Sequence, residues 1–349
     1  MSGTSSKKRK LLIIGPSPKS FGGVAIHIRR LAILMQDEFD ISYIDEGRER
    51  FEGFFNLRSL NLFKYLNFII KADDVYINSG LFFLRIFHIL VCKILLRKKT
   101  IVAIHHDVTR ERMIPLTKFF VKKCDTLLVV NQTTEKIFKN CVKNLIYLSA
   151  FIPPNIEQEP ELPQEVVDWC MKCRNNKDAV LMVSNAWNLV THNGYDLYGL
   201  DLCIEAMKLL LDKGKKNFYL VFVVASNTSN QDMMDGYKRF IKNNNLEENI
   251  LIWESPLSFV RLIQNCDIVL RATNTDGEAL TIREAFCFNK KVVASDVIPR
   301  PTNTFLFKNR DSISLANAIE VAANCNNHLI SDDHTLDYYK KFYLEIFNN

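Results

Sequence analysis

The chain has 349 residues, 48% of them hydrophobic and 24% charged, which suits a globular protein of two ordinary domains and excludes a disordered or fibrous one. Its net charge of +6 and pI near 8.7 are compatible with acidic lipid or phosphate-bearing ligands, whereas no zinc-finger spacing or RNA-binding signature points to nucleic acid. Nine cysteines, scattered except for Cys170 and Cys173, argue for reduced cytoplasmic thiols over a disulfide framework, and one Cys-x-x-Cys without a second pair argues against a zinc knuckle.

The polar start, Met1 to Lys10, lacks the apolar core of a signal peptide, which argues against secretion. From there short apolar runs alternate with helical patterns, the mark of βα units and parallel sheets. Strands are expected at Lys10 to Ile14, Ile41 to Ile44, Val75 to Asn78, Thr100 to Ile104, Thr126 to Val130 and Asn144 to Leu148, with helices in the gaps, such as Val24 to Gln36 and Phe83 to Leu96. Four prolines between Phe151 and Pro163 mark a linker. A second series follows, with strands at Val180 to Val183, Tyr219 to Val224, Ile250 to Trp253, Ile268 to Leu270 and Val292 to Ser295. Its helices are Asp201 to Lys213, Met233 to Asn244, Leu257 to Asn265 and Ser312 to Asn324. The expected domains are 1–150, a linker region 151–175, a second domain 176–330, and a terminal aromatic helix in 331–349 that packs back on the first. Two doubly wound domains of this kind bind ligands beyond the carboxyl ends of their strands.

Three loops hold residues able to carry chemistry. Gly22 and Gly23 open the first helix, allowing close backbone approach to an anion at its N-terminus. They fit neither a dinucleotide fingerprint nor a Walker loop. His105, His106 and Asp107 end the fourth strand; a histidine there either bonds a sugar hydroxyl or simply closes a strand-end turn. The segment from Arg271 through Asp276, Gly277, Glu278, Ala279, Leu280, Arg283 and Glu284 to Ser295 places two acids eight residues apart across a helix start. Helical side chains lean toward the N-terminus, so Glu284 faces the mouth where Asp276 sits, and the pair can accept hydrogen bonds from ribose and sugar hydroxyls around a phosphate. The plainer alternative makes Asp276 an N-cap and Glu284 a solvated helix residue. Leu81 to Lys99 carries a wide apolar arc, suited to packing on a sheet or to lying in a membrane interface; its uninterrupted apolar stretches fall short of the roughly 20 residues of a membrane span.

On Gly22-Gly23, His105 to Asp107, Asp196 to Ala206 and Asp276 to Asp296, the chain resembles the family 4 glycosyltransferases, retaining enzymes of the GT-B fold, over nearly its whole length. The last segment resembles the family's acid, seven residues, acid motif, with Asp276 where glutamate is usual. The resemblance implies two Rossmann-like doubly wound parallel-sheet domains facing a central cleft. It also implies sugar transfer from a nucleotide-sugar donor to a saccharide or lipid-linked saccharide, as in bacterial capsule, O-antigen or exopolysaccharide assembly, without metal or other cofactor. Asp276, with His105 or His106, would then be catalytic. Glu284 would bind the ribose, and Gly22, Gly23, Gly277, Glu278, Ala279, Leu280, Arg271, Arg283, Asn188 and Trp253 would surround the donor. Work at the cytoplasmic face of a membrane is a further expectation. The chain departs from the family at two phosphate-clamping cations: Ser184 to Asn188 lacks the arginine, and Tyr198 stands for the lysine before Gly199. Arg271, Arg283, Arg300 and Lys19 are the candidate substitutes, and a non-catalytic nucleotide-sugar or glycan-binding relative is the alternative function.

Overall fold

The computed structural model describes residues 8–20, 22–106, 108–111, 113–148, 151–226, 230–276, 279–325 and 336–348, which form two compact units, 1–153 with 334–349, and 154–333. The first unit begins with β1 (Arg9–Gly15), whose run Leu11 to Ile14 is at most 1% exposed, as befits a parallel strand covered on both faces. Then come α1 (Gly23–Met35), β2 (Phe39–Asp45), β3 (Phe55–Asn56), α2 (Leu62–Lys71), β4 (Asp74–Ile77), α3 (Phe82–Ile89), β5 (Lys99–Ile104), α4 (Ile114–Val121), β6 (Thr126–Val129), α5 (Gln132–Phe138) and β7 (Leu145–Tyr147). The α3 helix runs on as a π-helical turn, Leu90–Leu95, and Arg97 at φ 52° ends it before β5. The sheet order is β3-β2-β1-β4-β5-β6-β7, all parallel. Its order reverses between β1 and β4, so Gly15 and Asn78 sit at the switch point where such sheets hold ligands.

The second unit contains α6 (Gln164–Arg174), β8 (Val180–Ala186), β9 (Thr191–His192), β10 (Tyr195–Asp196), α7 (Leu200–Asp212), β11 (Phe218–Val224), α8 (Gln231–Asn243), β12 (Ile250–Trp253), α9 (Phe259–Asn265), β13 (Ile268–Arg271), α10 (Leu280–Cys287), β14 (Lys291–Ser295), β15 (Thr304–Phe307) and α11 (Ser312–Asn324). Its parallel sheet runs β12-β11-β8-β13-β14-β15 and reverses between β8 and β13. Two apolar layers, one on each face of this sheet, contain side chains such as Leu220, Phe222 and Leu270 on one side and Leu181, Val269 and Val292 on the other. Each such fully buried side chain is worth about 1.5–3 kcal/mol against exposure. The last helix, α12 (Leu336–Asn348), belongs to the first unit.

Three features differ from the sequence expectations. Most of the stretch expected to be a linker, 151–175, is folded. Phe151 and Ile152 are buried in the first unit, and α6 buries Val166 and Cys170 beside Leu181 and Val183 of β8. The short strands β3 and β15 add an edge to each sheet. Asn193 and Gly194, both at positive φ, turn β9 into β10 as a tight hairpin. Among the described residues no cysteine is in a disulfide, no group of metal-ligating side chains converges, and no helix is long and apolar enough to cross a membrane.

Candidate functional site

In the second unit, strand register sets a row of side chains at the carboxyl edge. Trp253, Val223 and Asn185 are level across β12, β11 and β8, and Arg271 comes two residues beyond the Val183–Val269 pair. Trp253 Nε1, Asn185 Oδ1 and Asn188 Oδ1 are buried with no hydrogen-bond partner among the described residues. Buried polar atoms are nearly always paired, so unsatisfied ones at the carboxyl ends of β8 and β12 and in the loop after β8 are places where a ligand can complete the bonding.

Beyond Arg271 the chain folds back so that Asp276 lies between two arginines. Arg271 Nε and Nη2 donate to its two oxygens at 3.0 and 2.8 Å, Arg300 Nη1 donates at 2.8 Å, and the Thr273 hydroxyl at 3.1 Å. Arg300 also donates to the Ser295 carbonyl and hydroxyl oxygens, which locks it at 2% side-chain exposure. Burial pushes the Asp276 carboxyl upward, but bonds and charge from the arginines outweigh that and hold it below its ordinary value. Two cations around one anion leave this knot with one net positive charge.

The knot rests on Gly199, which caps α7 at φ 74°; a Cβ there would lie 2.2 Å from the Ala272 carbonyl oxygen. Asp196 ties the same turn by accepting from the backbone N–H of Tyr198 and Gly199 and from the Tyr237 hydroxyl. Arg271 lies over the ring of Tyr198, 6.0 Å from its centroid. A cation from the neighbouring strand therefore reaches the residue that takes the place of the expected lysine.

In α10, Ala279 is the N-cap without a side-chain cap, and Glu284, one turn in, is 6% exposed. Asp276 is thus not the helix cap, and Glu284 is not a solvated residue. By contrast, α8, α9 and α11 are capped by Asn230, Ser258 and Asp311. Leu280 and Arg283 are half-buried. Gly277, Glu278 and Asp107 lie outside the described residues.

In the first unit, α1 starts at Gly22, again without a side-chain cap, and a Cβ on Gly22 would meet nothing within 4 Å. Gly23 is the first helical residue. Gly15 is constrained: a Cβ would stand 2.9 Å from Ile28 and 3.1 Å from Asn78. That close packing holds Asn78 beside His105, whose Nε2 is 2.9 Å from Asn78 Oδ1. Burial, then the neighbouring His27 and His106, hold the His105 ring well below its ordinary pKa and hence neutral. His106 turns away to Glu111, which also accepts from Thr117 and from the buried Arg85. Burial raises the Glu111 carboxyl, yet these three partners bring it down to about 2. His106 is thereby engaged in a structural ion network, while His105 keeps Nδ1 without a hydrogen-bond partner among the described residues. Lys19 is engaged elsewhere, over the Phe54 ring and on the Glu52 carbonyl.

Asn185, Thr273 and Ser295 in the second unit, and Asn78 and His27 in the first, were not among the expected site residues. Strand register and long-range packing bring them in, and no local motif marks them. Arg300 was visible only as one of several candidate cations.

Residues 188–324 match the family model "Glycosyl transferases group 1". No curated protein matches the sequence. Among solved structures, Anabaena HepE in complex with UDP superposes with a TM-score of 0.70 at 14% identity, over 97% of this chain and 99% of that one. A glycosyltransferase from Rickettsia africae ESF-5 gives 0.69 at 14% identity, over 98% of both chains. The trehalose-6-phosphate synthase OtsA gives 0.66 at 13%, over 97% and 99%. The fold is GT-B, with two Rossmann-like parallel-sheet domains.

Proposed function

We propose that this GT-B protein, with its group 1 glycosyltransferase segment, transfers a sugar from a nucleoside-diphosphate sugar to a saccharide or lipid-linked saccharide, with retention, during surface polysaccharide assembly. The observation that carries this reading is the knot of Arg271, Asp276 and Arg300 beside the unsatisfied edge of Asn185, Asn188 and Trp253. A departing diphosphate needs fixed positive charge that requires no reorganisation, and the two arginines supply it, a role that a divalent ion fills elsewhere. On this reading no metal is required. Asp276 holds the arginines while its outer edge meets the sugar, and Glu284 accepts from the ribose. Arg283, Ala279 and Leu280 line the uncapped start of α10, and Gly22 with Gly23 approaches the donor or leaving phosphate. His105 sits beside the sugar.

A thermal titration with UDP, GDP, ADP, CMP and dTDP tests the donor site. Because HepE was solved with UDP and with UDP-glucose, UDP is the first nucleotide to try. The expected result is a selective shift, about 2.7 kcal/mol of stabilisation at a hundredfold excess over Kd, that disappears in Glu284→Ala. Silence with every nucleotide and with intact sugar nucleotides would remove the donor site. Binding without turnover would favour the non-catalytic alternative.

A second observation favours peripheral work at the cytoplasmic face of a membrane. Ten large apolar side chains between Leu60 and Leu95 are exposed, among them Leu60 at 88%, Phe63 at 89% and Phe83 at 72%. Leu60, Leu62 and Phe87 among them line a groove of about 310 Å³ together with Leu57, Asn61, Tyr65 and Leu84. Residues 57–99 hold eight basic side chains against two acidic ones. Exposed apolar side chains in a segment rich in basic residues suit an anionic bilayer. Lys98 and Lys99 are engaged with backbone carbonyls, so the informative variant is Phe63→Glu with Phe83→Glu. Flotation with anionic vesicles is expected for the native chain and not for this variant; equal flotation of both would rule the surface out.

A further inference from the structure

The β9–β10 hairpin pairs Thr191 with Asp196 and His192 with Tyr195, and residues Thr191 to Tyr195 are all exposed. A two-stranded ribbon without a buried face is marginal by itself, so what keeps this one in place lies outside it. Asn274 supplies the inner tie. Its side-chain Nδ2 donates to the His192 carbonyl at 3.0 Å and lies 3.5 Å from the Tyr195 carbonyl, so one amide reaches both strands. Its backbone N–H donates to the Leu197 carbonyl at 3.0 Å, where the Leu197 N–H extends the ladder to Val190 at 2.9 Å. On the outer side Arg310 lies over the Tyr195 ring, 4.6 Å from its centroid, and bonds Asp201 in the first turn of α7 at 3.1 Å. At the base of the hairpin Asp196, 3% exposed, accepts from the Tyr237 hydroxyl at 2.9 Å. All these residues belong to the second unit.

Asn274 also sits among the residues that hold the arginine knot. One position earlier, the Thr273 carbonyl accepts from the Ser295 hydroxyl at 2.7 Å, and the Thr273 hydroxyl donates to Asp276, two positions after Asn274. The loop from Ala272 to Asp276 is therefore held on two sides, by Ser295 and Arg300 on one and by the hairpin on the other. Removing the Asn274 amide leaves the backbone bond to Leu197 in place, so the loop stays attached and loses its lateral hold.

We propose that Asn274 is a positioning residue: by clasping both strands of the hairpin it fixes the loop that carries Asp276, and with it the alignment of Arg271 and Arg300 toward the departing diphosphate. This rests on the assignment of that knot to the donor. The stretch between Asn188 and Tyr198, flanked by the two positions that lack the family's cations, then contributes through backbone carbonyls that steady the arginines used instead.

The test uses the full chain, the variants Asn274→Ala and Asn274→Leu, and two readouts. Asn244→Ala, which removes a comparable 2.8 Å side-chain bond to the Phe240 carbonyl at the end of α8, is the control. Hydrogen exchange at Arg271 Nε–H, bonded to Asp276 at 3.0 Å, is followed by NMR and assigned by its loss in Arg271→Lys. In both Asn274 variants this proton is expected to exchange about tenfold faster, the worth of roughly one lost hydrogen bond, while the Val269 amide within β13 stays as in the native chain. For the sugar nucleotide, kcat is expected to fall about tenfold with KM nearly constant, since misaligned charge matters most as the leaving group develops its own. The control is expected to match the native chain. Unchanged exchange at Arg271 Nε in both variants overturns the proposal. So does acceleration that extends to the Val269 amide, which would make Asn274 a general structural contact, and so does an equal loss of kcat in Asn244→Ala. Faster exchange confined to the knot with native turnover supports the clasp and overturns the assignment of the knot to transfer. Exchange reads the clasp even if no sugar nucleotide is turned over.

Discussion

Arg271→Ala is expected to reduce donor turnover on the order of a hundred- to a thousandfold while the second unit stays folded, because one preorganised donor to developing charge is worth about 3–4 kcal/mol in the transition state. The fold survives because Asp276 keeps Arg300 and Thr273 as partners, so no buried carboxylate is left uncompensated. Arg300→Ala is the poorer experiment. That side chain is 2% exposed and also holds Ser295, so its loss leaves buried oxygens of Ser295 without that donor, at about 1–3 kcal/mol each, and obscures any catalytic effect. Arg271→Lys should recover only part of the activity, since an ammonium cannot reproduce the paired Nε and Nη2 bonds. The pH dependence provides a second check. The Asp276 carboxyl is held below its ordinary 3.8, so its contribution to stability is complete above that value and lost as pH falls below it. The stability gap between Arg271→Ala and the native chain should therefore close in acid. Nucleoside diphosphate release within about threefold of native in Arg271→Ala would remove this arginine from the mechanism.

Gly199→Ala is expected to destabilise the second unit by more than about 3 kcal/mol, read from urea unfolding. Two costs add. At φ 74° an L residue loses about 1–2 kcal/mol, and the new Cβ would stand 2.2 Å from a backbone carbonyl, which has no flexible end to yield. Gly194→Ala separates them: φ is 80°, but nothing lies within 4 Å of the added Cβ, so only the first cost applies. Equal losses at the two positions would show that the contact with Ala272 is unimportant. Because Ala272 follows Arg271, any accommodation at Gly199 also moves the arginine knot.

Much of the fold was legible because parallel strands buried on both faces must be continuously apolar. The runs at Leu11 to Ile14, Tyr219 to Val224 and Val292 to Ser295 could be little else. The helix Ser312–Asn324 agrees with its expected limits, helped by the Asp311 cap. The short strands β3 and β15 escaped because two to four residues carry no periodicity, and α6 escaped because the neighbouring prolines suggested a linker while only three of its residues are buried. At the candidate site, the two acids, the glycine loop and the histidine pair were visible as local spacings. Which histidine is engaged by Glu111 and which retains a nitrogen without a partner among the described residues was not visible, since Glu111 and Asn78 reach them from different loops.

The sequence by itself determined the elements, their alternation and so the class of fold, because strand burial and helix periodicity are properties of neighbours along the chain. It also marked Asp276, Glu284 and His105, whose chemistry is local. Only the tertiary structure decided what those groups are bonded to. Arg300 joins Asp276 from 24 residues away, and Arg271 lies over Tyr198 where a lysine was expected. The ring of Tyr343, in α12, comes within 6.2 Å of that of His27, which in turn meets His105. The charge and tautomer of a buried group depend on atoms within a few ångströms, and those atoms are brought together by strand register and helix packing, which no local spacing encodes.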